Sequence, residues 1–510
     1  MQQQAQGKQP TPAQVFEEAH RLLRVGDVFE ASRRAGKLRA HFPDDIPILA
    51  LHGLVLTRLG IHAQALSDLV VAAQRTEEAL KNEDEEGNPA RPRIVDQLVR
   101  LSVQICRSSM AIGEDAAAEE AIDNALDWDP DRADAVGAKA EMLAAQGKHD
   151  EAHKLLAQAF KDKLDTMPLV LARARVLLSD PNAESDALRE VVPELENEAS
   201  VAGLPALELG DLLRALGQVH DRLGQHDEAF NAFRRAARLR RGHFDPRNYT
   251  VMTTKVISDW SLDRLGKILK PEFDGSDYTF VLGAPHSGVE QLSDMLGQLD
   301  GACIIGPLET LGAACVQFLG ARQGVLRPVP LEPQKLRRNQ LLEAAKGYAM
   351  QARTIAGDPV SNCIDTHPLN IPLAGAAALL FPGVNIVLCR RDPLQSTLAC
   401  YCDAMPGNHP YAGDLLSAAG FVADSNRMMD HWATILGDET VGANIVEVQY
   451  DELVADPKKT AARVARDIGV DARATAIKRV PGFTTGPSTH PDDFKNYTRQ
   501  VRDLLGPTNA

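Results

Sequence analysis

The chain has 510 residues, of which 44% are hydrophobic, and its formal net charge at pH 7 is −15. This length exceeds what one compact domain usually holds, so we expect two or three domains. The acidic balance argues against nucleic-acid binding as the main activity, because that activity usually requires a basic surface.

The cysteines and the N-terminus indicate the class of protein. The seven cysteines form neither an even framework nor CxxC pairs, so we interpret them as reduced, buried thiols and predict no metal site. The first residues lack the apolar core of a signal peptide, and no apolar run reaches membrane-spanning length. We therefore expect a cytoplasmic protein without a membrane span, with residues 1–11 disordered.

A glycine followed five residues later by an alanine recurs between residues 12 and 245. The pairs are Gly26 and Ala31, Gly60 and Ala65, Gly113 and Ala118, Gly147 and Ala152, and Gly224 and Ala229. Gly26 and Gly60 are 34 residues apart, as are Gly113 and Gly147, and this is the tetratricopeptide period. We predict a superhelix of stacked helix pairs over residues 12–245, with the glycine in each turn and the alanine where the two helices approach. A valine at Gly147 is expected to intrude between the helices.

Two spacings in this array are longer than the period. Between Gly60 and Gly113 lie 53 residues, and we assign the excess to a charged loop at 81–93. A degenerate unit with Ala187 near the alanine position is expected before Gly224. The concave face of such an array usually holds a peptide or protein segment, which is the predicted partner. A passive scaffold or a dimerisation element is the alternative.

A hinge or capping segment is predicted over residues 246–277 and a second domain over 278–510. The second domain opens with an apolar strand at 278–282, the loop Gly283-Ala284-Pro285-His286-Ser287-Gly288, and apolar residues at helical spacing. In a strand, glycine-bounded loop and helix, backbone N–H groups and the helix dipole converge on an anion. The stretch predicts a phosphate or sulfate site, with an ordinary turn between strand and helix as the alternative.

A second basic feature lies about a hundred residues further along. Residues 385–389 form a fully apolar predicted strand, which Arg390-Arg391-Asp392-Pro393 follows. Two arginines at the carboxyl end of a buried strand suit an anion by charge and by the fork geometry of the guanidinium group. A salt bridge to a neighbouring acid is the alternative.

The order and spacing of motifs over residues 278–497 resemble the bacterial tetratricopeptide-repeat sulfotransferases, which are related to the tyrosylprotein sulfotransferases. Gly306-Pro307-Leu308-Glu309, Tyr450-Asp451-Glu452-Leu453 and Phe494-Lys495-Asn496-Tyr497 fall in the same order; the last two look architectural. The resemblance implies an α plus α/β fold class, with a tetratricopeptide superhelix followed by a P-loop-like α/β domain with a central parallel sheet.

The same resemblance implies a donor and a base. The donor is 3′-phosphoadenosine 5′-phosphosulfate (PAPS), with Pro285, His286, Ser287 and Gly288 in its loop and Arg391 on its 3′-phosphate. Glu309 matches the general base, which takes the proton that an acceptor hydroxyl loses as it attacks sulfur.

The sequence departs from the family pattern around the donor. His286 replaces an arginine, Glu290 a hydroxyl residue, Thr366 a lysine and Ala399 a serine. Charge-assisted contacts contribute about 1.5–3 kcal/mol each, so these changes predict a weakened PAPS site.

Three functions stay open at the level of sequence. The first is transfer of a sulfuryl group from PAPS to a hydroxyl of a peptide, carbohydrate or small molecule. The second is an inactive sulfotransferase-like scaffold whose repeat array binds a protein partner. An enzyme that uses another phosphorylated donor is the third.

Overall fold

The computed structural model describes residues 11–82, 90–162, 166–240, 242, 244–306, 308, 310–321, 326, 329–330, 332–357, 362–403, 405, 409–483 and 486–506. The chain forms two compact units, Met1–Gly242 with Ala404–Gly413, and His243–Asp403 with Asp414–Ala510. Most of the predicted disordered tail, residues 1–10, lies outside the described residues. Thr11 is described, and its side chain caps the first helix by accepting from the backbone N–H of Gln14 at 3.3 Å.

The described part of the first unit consists of helices, most of which pack as consecutive pairs. They are α1 (Pro12–Arg24), α2 (Val28–His41), α3 (Ile46–Arg58), α4 (His62–Asn82), α5 (Arg91–Ile112), α6 (Asp115–Trp128), α7 (Ala133–Ala145), α8 (His149–Lys161), α9 (Met167–Ser179), α10 (Ser185–Ser200), α11 (Ala206–Arg222) and α12 (His226–Ala237). Aspartates begin α2 and α3, where Asp27 and Asp45 accept from the backbone N–H three residues later. The predicted helical repeat array is confirmed.

The glycine and alanine register of the array is confirmed residue by residue. All five glycines lie in the left-handed region, with φ between 72° and 84°, where a side chain would be strained. All five alanines are fully buried. Each glycine therefore makes the turn between two helices, and each alanine lies inside a helix pair.

The physical reason for the turn glycines differs from the one expected. A Cβ atom at Gly147 would meet nothing within 4 Å, so a valine there does not intrude between helices. Close approach occurs instead inside the first helix of a pair. A Cβ at Gly53 would lie 2.6 Å from Leu69, and one at Gly217 would lie 2.6 Å from the Phe233 ring.

The longer spacings are filled mostly by helix. The predicted loop at 81–93 is shorter than expected, because α4 continues to Asn82 and α5 begins at Arg91. The degenerate unit is confirmed as the pair α9 and α10. Within it Leu188 and Val191 are buried, whereas Ala187 is only partly buried. Ala187 is therefore not the counterpart of the buried alanines.

The last full helix pair of the array also reaches back to its beginning. Leu207 of α11 packs against the core formed by α1, α2 and α3. Arg58 of α3 lies 3.6 Å from a carboxylate oxygen of Asp211 in α11. The array thus makes contacts across more than its neighbouring repeats.

The second unit contains a sheet and its covering helices. Its strands are β1 (Tyr278–Gly283), β2 (Ala302–Ile304), β3 (Asn362–Asp365), β4 (Asn385–Arg390) and β5 (Asn444–Gln449). Its helices are α13 (Pro246–Asp259), α14 (Leu262–Leu265), α15 (Val289–Leu296), α16 (Thr310–Leu319), α17 (Arg338–Ala356), α18 (Ala374–Leu380), α19 (Pro393–Cys402), α20 (Leu415–Ile435), α21 (Tyr450–Ala455), α22 (Pro457–Asp467) and α23 (Lys495–Leu505).

The described strands form one parallel sheet in the order β2-β3-β1-β4-β5. The central strand β1 is buried along its whole length, which explains its uninterrupted apolar sequence. After β1 the chain continues to β2 at one edge, and after β4 it continues to β5 at the other. The carboxyl ends of β1 and β4 therefore form a topological switch point, where α/β proteins usually bind ligands. The predicted fold class is confirmed.

The segment 246–277, expected as a hinge or cap, contains α13 and α14. Helix α13 packs against α20 inside the second unit: the Tyr249 and Phe421 rings lie 5.4 Å apart, and Thr250 donates to Asp424 at 2.6 Å. All seven cysteines are free thiols, and Cys303 is only half-buried because β2 is an edge strand. The helices of the described residues include none that is long and apolar enough to span a bilayer.

Candidate functional site

The loop between β1 and α15 is tightly folded. The Ser287 backbone N–H donates to the Ala284 carbonyl at 3.1 Å. A Cβ atom at Gly283 would lie 2.3 Å from Ser287 Oγ and 2.8 Å from the Cys389 carbonyl oxygen. At Gly288 φ is 95°, and a Cβ there would lie 2.8 Å from Leu453. Both glycines are required by this loop, one for space and the other for space and backbone conformation.

His286 has an unusual backbone conformation. Its φ is 62°, and it is the one non-glycine residue with positive φ in the described part of the chain. The left-handed conformation costs a non-glycine residue roughly 1–2 kcal/mol. This conformation directs the His286 carbonyl oxygen toward β4, where Arg391 donates to it at 2.9 Å.

The N-terminus of α15 carries backbone donors without partners. No side chain caps the helix, and its first intrahelical bond runs from Leu292 N–H to the Gly288 carbonyl at 2.9 Å. Among the described residues nothing accepts from the N–H groups of residues 288–291, as expected for a first helical turn. Ser287 Oγ is buried and has no hydrogen-bond partner there. These donors suit a phosphate or sulfate oxygen.

Arg391 lies beside this loop and is 6% exposed. Besides His286, its guanidinium group donates to Ser488 Oγ at 3.1 Å and to Gln395 Oε1 at 3.3 Å, and it lies 4.1 Å from the centre of the Tyr450 ring. None of the described carboxylates forms an ion pair with it. Burial lowers the pKa of Arg391. A buried cation is thus held by neutral groups, and an anion can still complement its charge.

The neighbouring arginine has the opposite environment. Arg390 forms ion pairs with Glu447 at 2.5 Å and with Asp430 at 2.6 Å, near the edge of the sheet. The salt-bridge alternative therefore describes Arg390, and Arg391 is the arginine whose charge is not neutralised by a described acid.

Glu290 places a carboxylate in the first turn of α15. Its side chain retains contact with solvent, yet the surrounding protein desolvates the carboxyl and raises its pKa. No described cation forms an ion pair with it. Ionised Glu290 favours the helix dipole and disfavours a neighbouring anion.

The predicted base, Glu309, lies outside the described residues. The turn that precedes it is fixed by Asp365, the last residue of β3, whose buried carboxylate accepts from Leu308 N–H at 3.4 Å and from His367 N–H at 3.0 Å. Tyr348 Oη donates to the same carboxylate at 2.9 Å. Burial raises the pKa of Asp365. The carboxyl ends of β3, β1 and β4 thus carry, respectively, Asp365, the loop and Arg391.

Sequence reasoning brought the loop and Arg391 together but missed their support. Tyr450, interpreted as architectural, stacks on the Arg391 guanidinium group. Gln395 lies four residues after Arg391 on α19, a helical spacing that could have indicated the contact. Ser488 lies in an irregular segment 97 residues from Arg391, and no sequence pattern points to it.

Comparison with known proteins agrees with the architecture of the second unit. The sulfotransferase family model matches residues 279–474. A curated relative, an uncharacterized protein of Aquifex aeolicus (strain VF5), is 21% identical over 284 residues, which cover 54% of this chain and 36% of that protein. The aligned part is thus about a third of that relative's length.

Two solved structures are also similar. One is a tetratricopeptide repeat protein from Parabacteroides merdae ATCC 43184, at 16% identity and a TM-score of 0.32, covering 44% of this chain and 77% of that one. The other is the sulfotransferase domain of the Synechococcus PCC 7002 olefin synthase, at 21% identity and a TM-score of 0.28, covering 42% of this chain and 82% of that one. The family model begins within β1 and includes the loop, Asp365, Arg391 and Tyr450, so residues 279–474 form a sulfotransferase family domain.

Proposed function

We propose that the second unit transfers a sulfuryl group from PAPS to a hydroxyl of a peptide, carbohydrate or small molecule, with lower donor affinity than the family pattern implies. The observation that carries this proposal is Arg391. It is a buried cation, none of the described acids pairs with it, and it donates directly to the loop between β1 and α15. Keeping such a charge desolvated is costly unless an anion complements it.

The residues present fit the donor. The uncapped helix N-terminus and the buried Ser287 hydroxyl supply unused donors for the 5′ side of PAPS. Arg391 supplies the charge for the 3′-phosphate. Bound PAPS supplies the electrophilic sulfuryl group. The loop glycines let the backbone fold closely enough to present its N–H groups, and Pro285 and His286 complete the turn.

Glu309 is the proposed general base, which removes the proton that an acceptor hydroxyl loses during transfer. The hydrogen bond from Leu308 N–H to Asp365 supports this role, because it fixes the turn immediately before Glu309.

Weak donor binding follows from the charges near the loop. Glu290 adds a negative charge without a described ion-pair partner, and Arg390 is already neutralised by two acids. A histidine at position 286 is mostly neutral at pH 7 unless an anion raises its pKa. Arg391 is therefore the main positive charge at the carboxyl ends of β1 and β4.

Binding of adenosine 3′,5′-bisphosphate, measured by calorimetry, tests donor recognition. The restored variant His286→Arg, Glu290→Thr, Thr366→Lys and Ala399→Ser is expected to bind more tightly than the parent, because each change adds a donor or removes a repulsive charge. If the restored variant bound no better, the residue-by-residue match to the sulfotransferase site would be wrong.

Sulfuryl transfer itself is tested with labelled PAPS and panels of peptide and saccharide acceptors. An active parent and an inactive Glu309→Ala variant support the enzyme. A silent parent whose restored variant binds bisphosphate supports the inactive scaffold.

We propose further that the first unit binds a peptide or protein segment and that the protein acts in the cytoplasm. Stacked helical repeats expose an extended surface suited to such a segment. Affinity capture with the full chain, followed by titration of the captured segment against an Ala152→Leu variant with a disrupted array, tests the interaction.

A further inference from the structure

A surface cavity of 530 Å³ lies in the second unit, between the segment around α14 and the start of α17. Its lining residues are Asp263, Arg264, Lys267, Ile268, Leu269, Gln334, Leu336, Arg337, Arg338 and Asn339. None of them belongs to the loop between β1 and α15 or contacts Arg391. About half of the lining precedes residue 279, so it falls outside the part of the chain that the sulfotransferase family model matches. We call it the basic cavity.

The charge of the basic cavity contrasts with that of the whole chain. Its lining contains Arg264, Lys267, Arg337 and Arg338 but one acid, Asp263, which gives a formal charge of +3. The complete chain has a formal net charge of −15. Three of the four cations are arginines, whose planar fork of donors matches phosphate and sulfate oxygens. A concentrated positive charge in an acidic protein attracts small anions to this place.

The cations of the basic cavity are available to a ligand. Lys267 pairs with Asp263 at 2.7 Å, but the two side chains are 72% and 76% exposed. Arg338 pairs with Glu272, which is 89% exposed. Surface pairs of this kind contribute about 0–1 kcal/mol, so a multivalent anion can replace them at little cost. Arg337 forms no ion pair with any described residue.

The shape of the cavity limits the ligand. Its volume lies within the range of about 300–1,000 Å³ that is usual for small-molecule sites. Ile268, Leu269 and Leu336 provide an apolar part of the wall, and Leu269 is 76% exposed. An exposed leucine beside several cations suits a ligand with a ring or carbon skeleton that carries several anionic groups.

We propose that the basic cavity binds a small polyanion with two or more phosphate or sulfate groups on a carbon ring, at a site separate from the loop between β1 and α15. This proposal does not depend on sulfuryl transfer. Arg337 and Arg338 contact the anionic groups from the start of α17, Arg264 and Lys267 contact them from the opposite wall, and the leucines contact the ring.

Calorimetric titration of the full chain with two probes tests the site: sucrose octasulfate as the sulfate source and inositol hexakisphosphate as the phosphate source. The double variant Arg337→Ala and Arg338→Ala is expected to raise the Kd of the tighter probe about tenfold or more, since it removes two charge-assisted contacts. Asp263→Asn is expected to lower that Kd, because it removes the one acid of the lining. Both variants change exposed side chains, and circular dichroism checks their folding.

The matched control is Lys346→Ala. Lys346 is an exposed lysine of the same helix α17, paired with Glu343 at 3.1 Å and outside the cavity. An equal loss of affinity in this control would mean unspecific charge attraction and would overturn the proposal, as would unchanged affinity in the double variant. A second titration in saturating adenosine 3′,5′-bisphosphate is expected to leave the probe Kd unchanged. Competition between the two would place the probe at the loop and overturn the proposal as well.

Discussion

Replacing the two adjacent arginines one at a time separates an anion site from an ordinary salt bridge. Arg391 is buried and is held by His286, Gln395 and Ser488, whereas Arg390 lies between two carboxylates. We therefore compare Arg391→Met with Arg390→Met. Methionine retains much of the apolar stem in both variants and removes the charge.

The expected loss of affinity follows from the donors of Arg391. A guanidinium group has five N–H donors, and the described contacts engage three of them. Two N–H groups are left for an anion. Since hydrogen bonds to charged groups contribute about 1.5–3 kcal/mol each, Arg391→Met is expected to raise the Kd for adenosine 3′,5′-bisphosphate by about a hundredfold or more.

The effect on stability is expected to be much smaller than the effect on binding. Arg391→Met loses three hydrogen bonds and the contact with Tyr450, but it also removes a cation that is desolvated without a described counter-ion. We expect these opposing contributions to leave the free energy of unfolding within about 2 kcal/mol of the parent value. Arg390→Met is expected to lose about 1 kcal/mol or less, because it breaks exposed pairs.

Calorimetry measures the Kd, and urea unfolding measures the free energy of both variants. The reasoning is refuted if Arg391→Met binds bisphosphate within about threefold of the parent, or if Arg390→Met loses as much affinity as Arg391→Met. Either result would place the nucleotide away from the junction of β1 and β4.

Three further predictions concern single positions. At Gly147, where φ is 77° and the Cβ direction is open, urea unfolding is expected to give a loss of stability that grows from asparagine to alanine to valine, with about 1–2 kcal/mol for alanine; the largest loss with asparagine would instead indicate close approach of helices. Glu290→Gln is expected to bind bisphosphate more tightly than the parent, and the ratio of the two affinities should rise as pH increases through the pKa of Glu290, because burial raises that pKa and the unfavourable ionised form appears only above it; a ratio that stays constant with pH would exclude this carboxylate from the site. Asp365→Ala is expected to lower the free energy of unfolding by about 3 kcal/mol or more, since it leaves buried donors unsatisfied, whereas Asp365→Asn should cost less, because burial raises the pKa of Asp365 and the amide resembles the protonated acid; equal losses would contradict this explanation.

Local patterns in the sequence were sufficient to predict most elements of both units. The apolar runs at β1 and β4 predict buried central strands, and the five turn glycines predict the helix pairs of the array. These predictions succeed because burial and positive φ restrict which residue types a position accepts. The sequence failed where several residue types fit equally well. The extensions of α4 and α5 into the predicted charged loop are an example, since charged residues are as compatible with an exposed helix as with a loop.

The candidate site was predictable only in part, for a related reason. The loop and Arg391 lie at ends of adjacent strands, so their meeting follows from a parallel sheet. Their supporting contacts depend on side chains from distant segments, and local periodicity carries no information about such contacts. Ser488 reaches Arg391 across 97 residues of sequence.

The difference between Arg390 and Arg391 shows how the fold assigns separate tasks to identical neighbours. Arg390 is the last residue of β4 and pairs with Glu447 of the adjacent edge strand, so the packing of the sheet neutralises it. One residue later the chain leaves the strand, and the side chain of Arg391 lies under the loop, where it meets carbonyl, amide and hydroxyl oxygens and an aromatic face. Neutral acceptors hold the guanidinium group in position without cancelling its charge. A carboxylate at Gln395 would be isosteric and would stabilise the buried cation, but it would also compete with any anion. Gln395→Glu is therefore expected to raise the melting temperature while weakening bisphosphate binding, and a variant that gained stability with undiminished binding would show that the Arg391 charge is not used by the ligand.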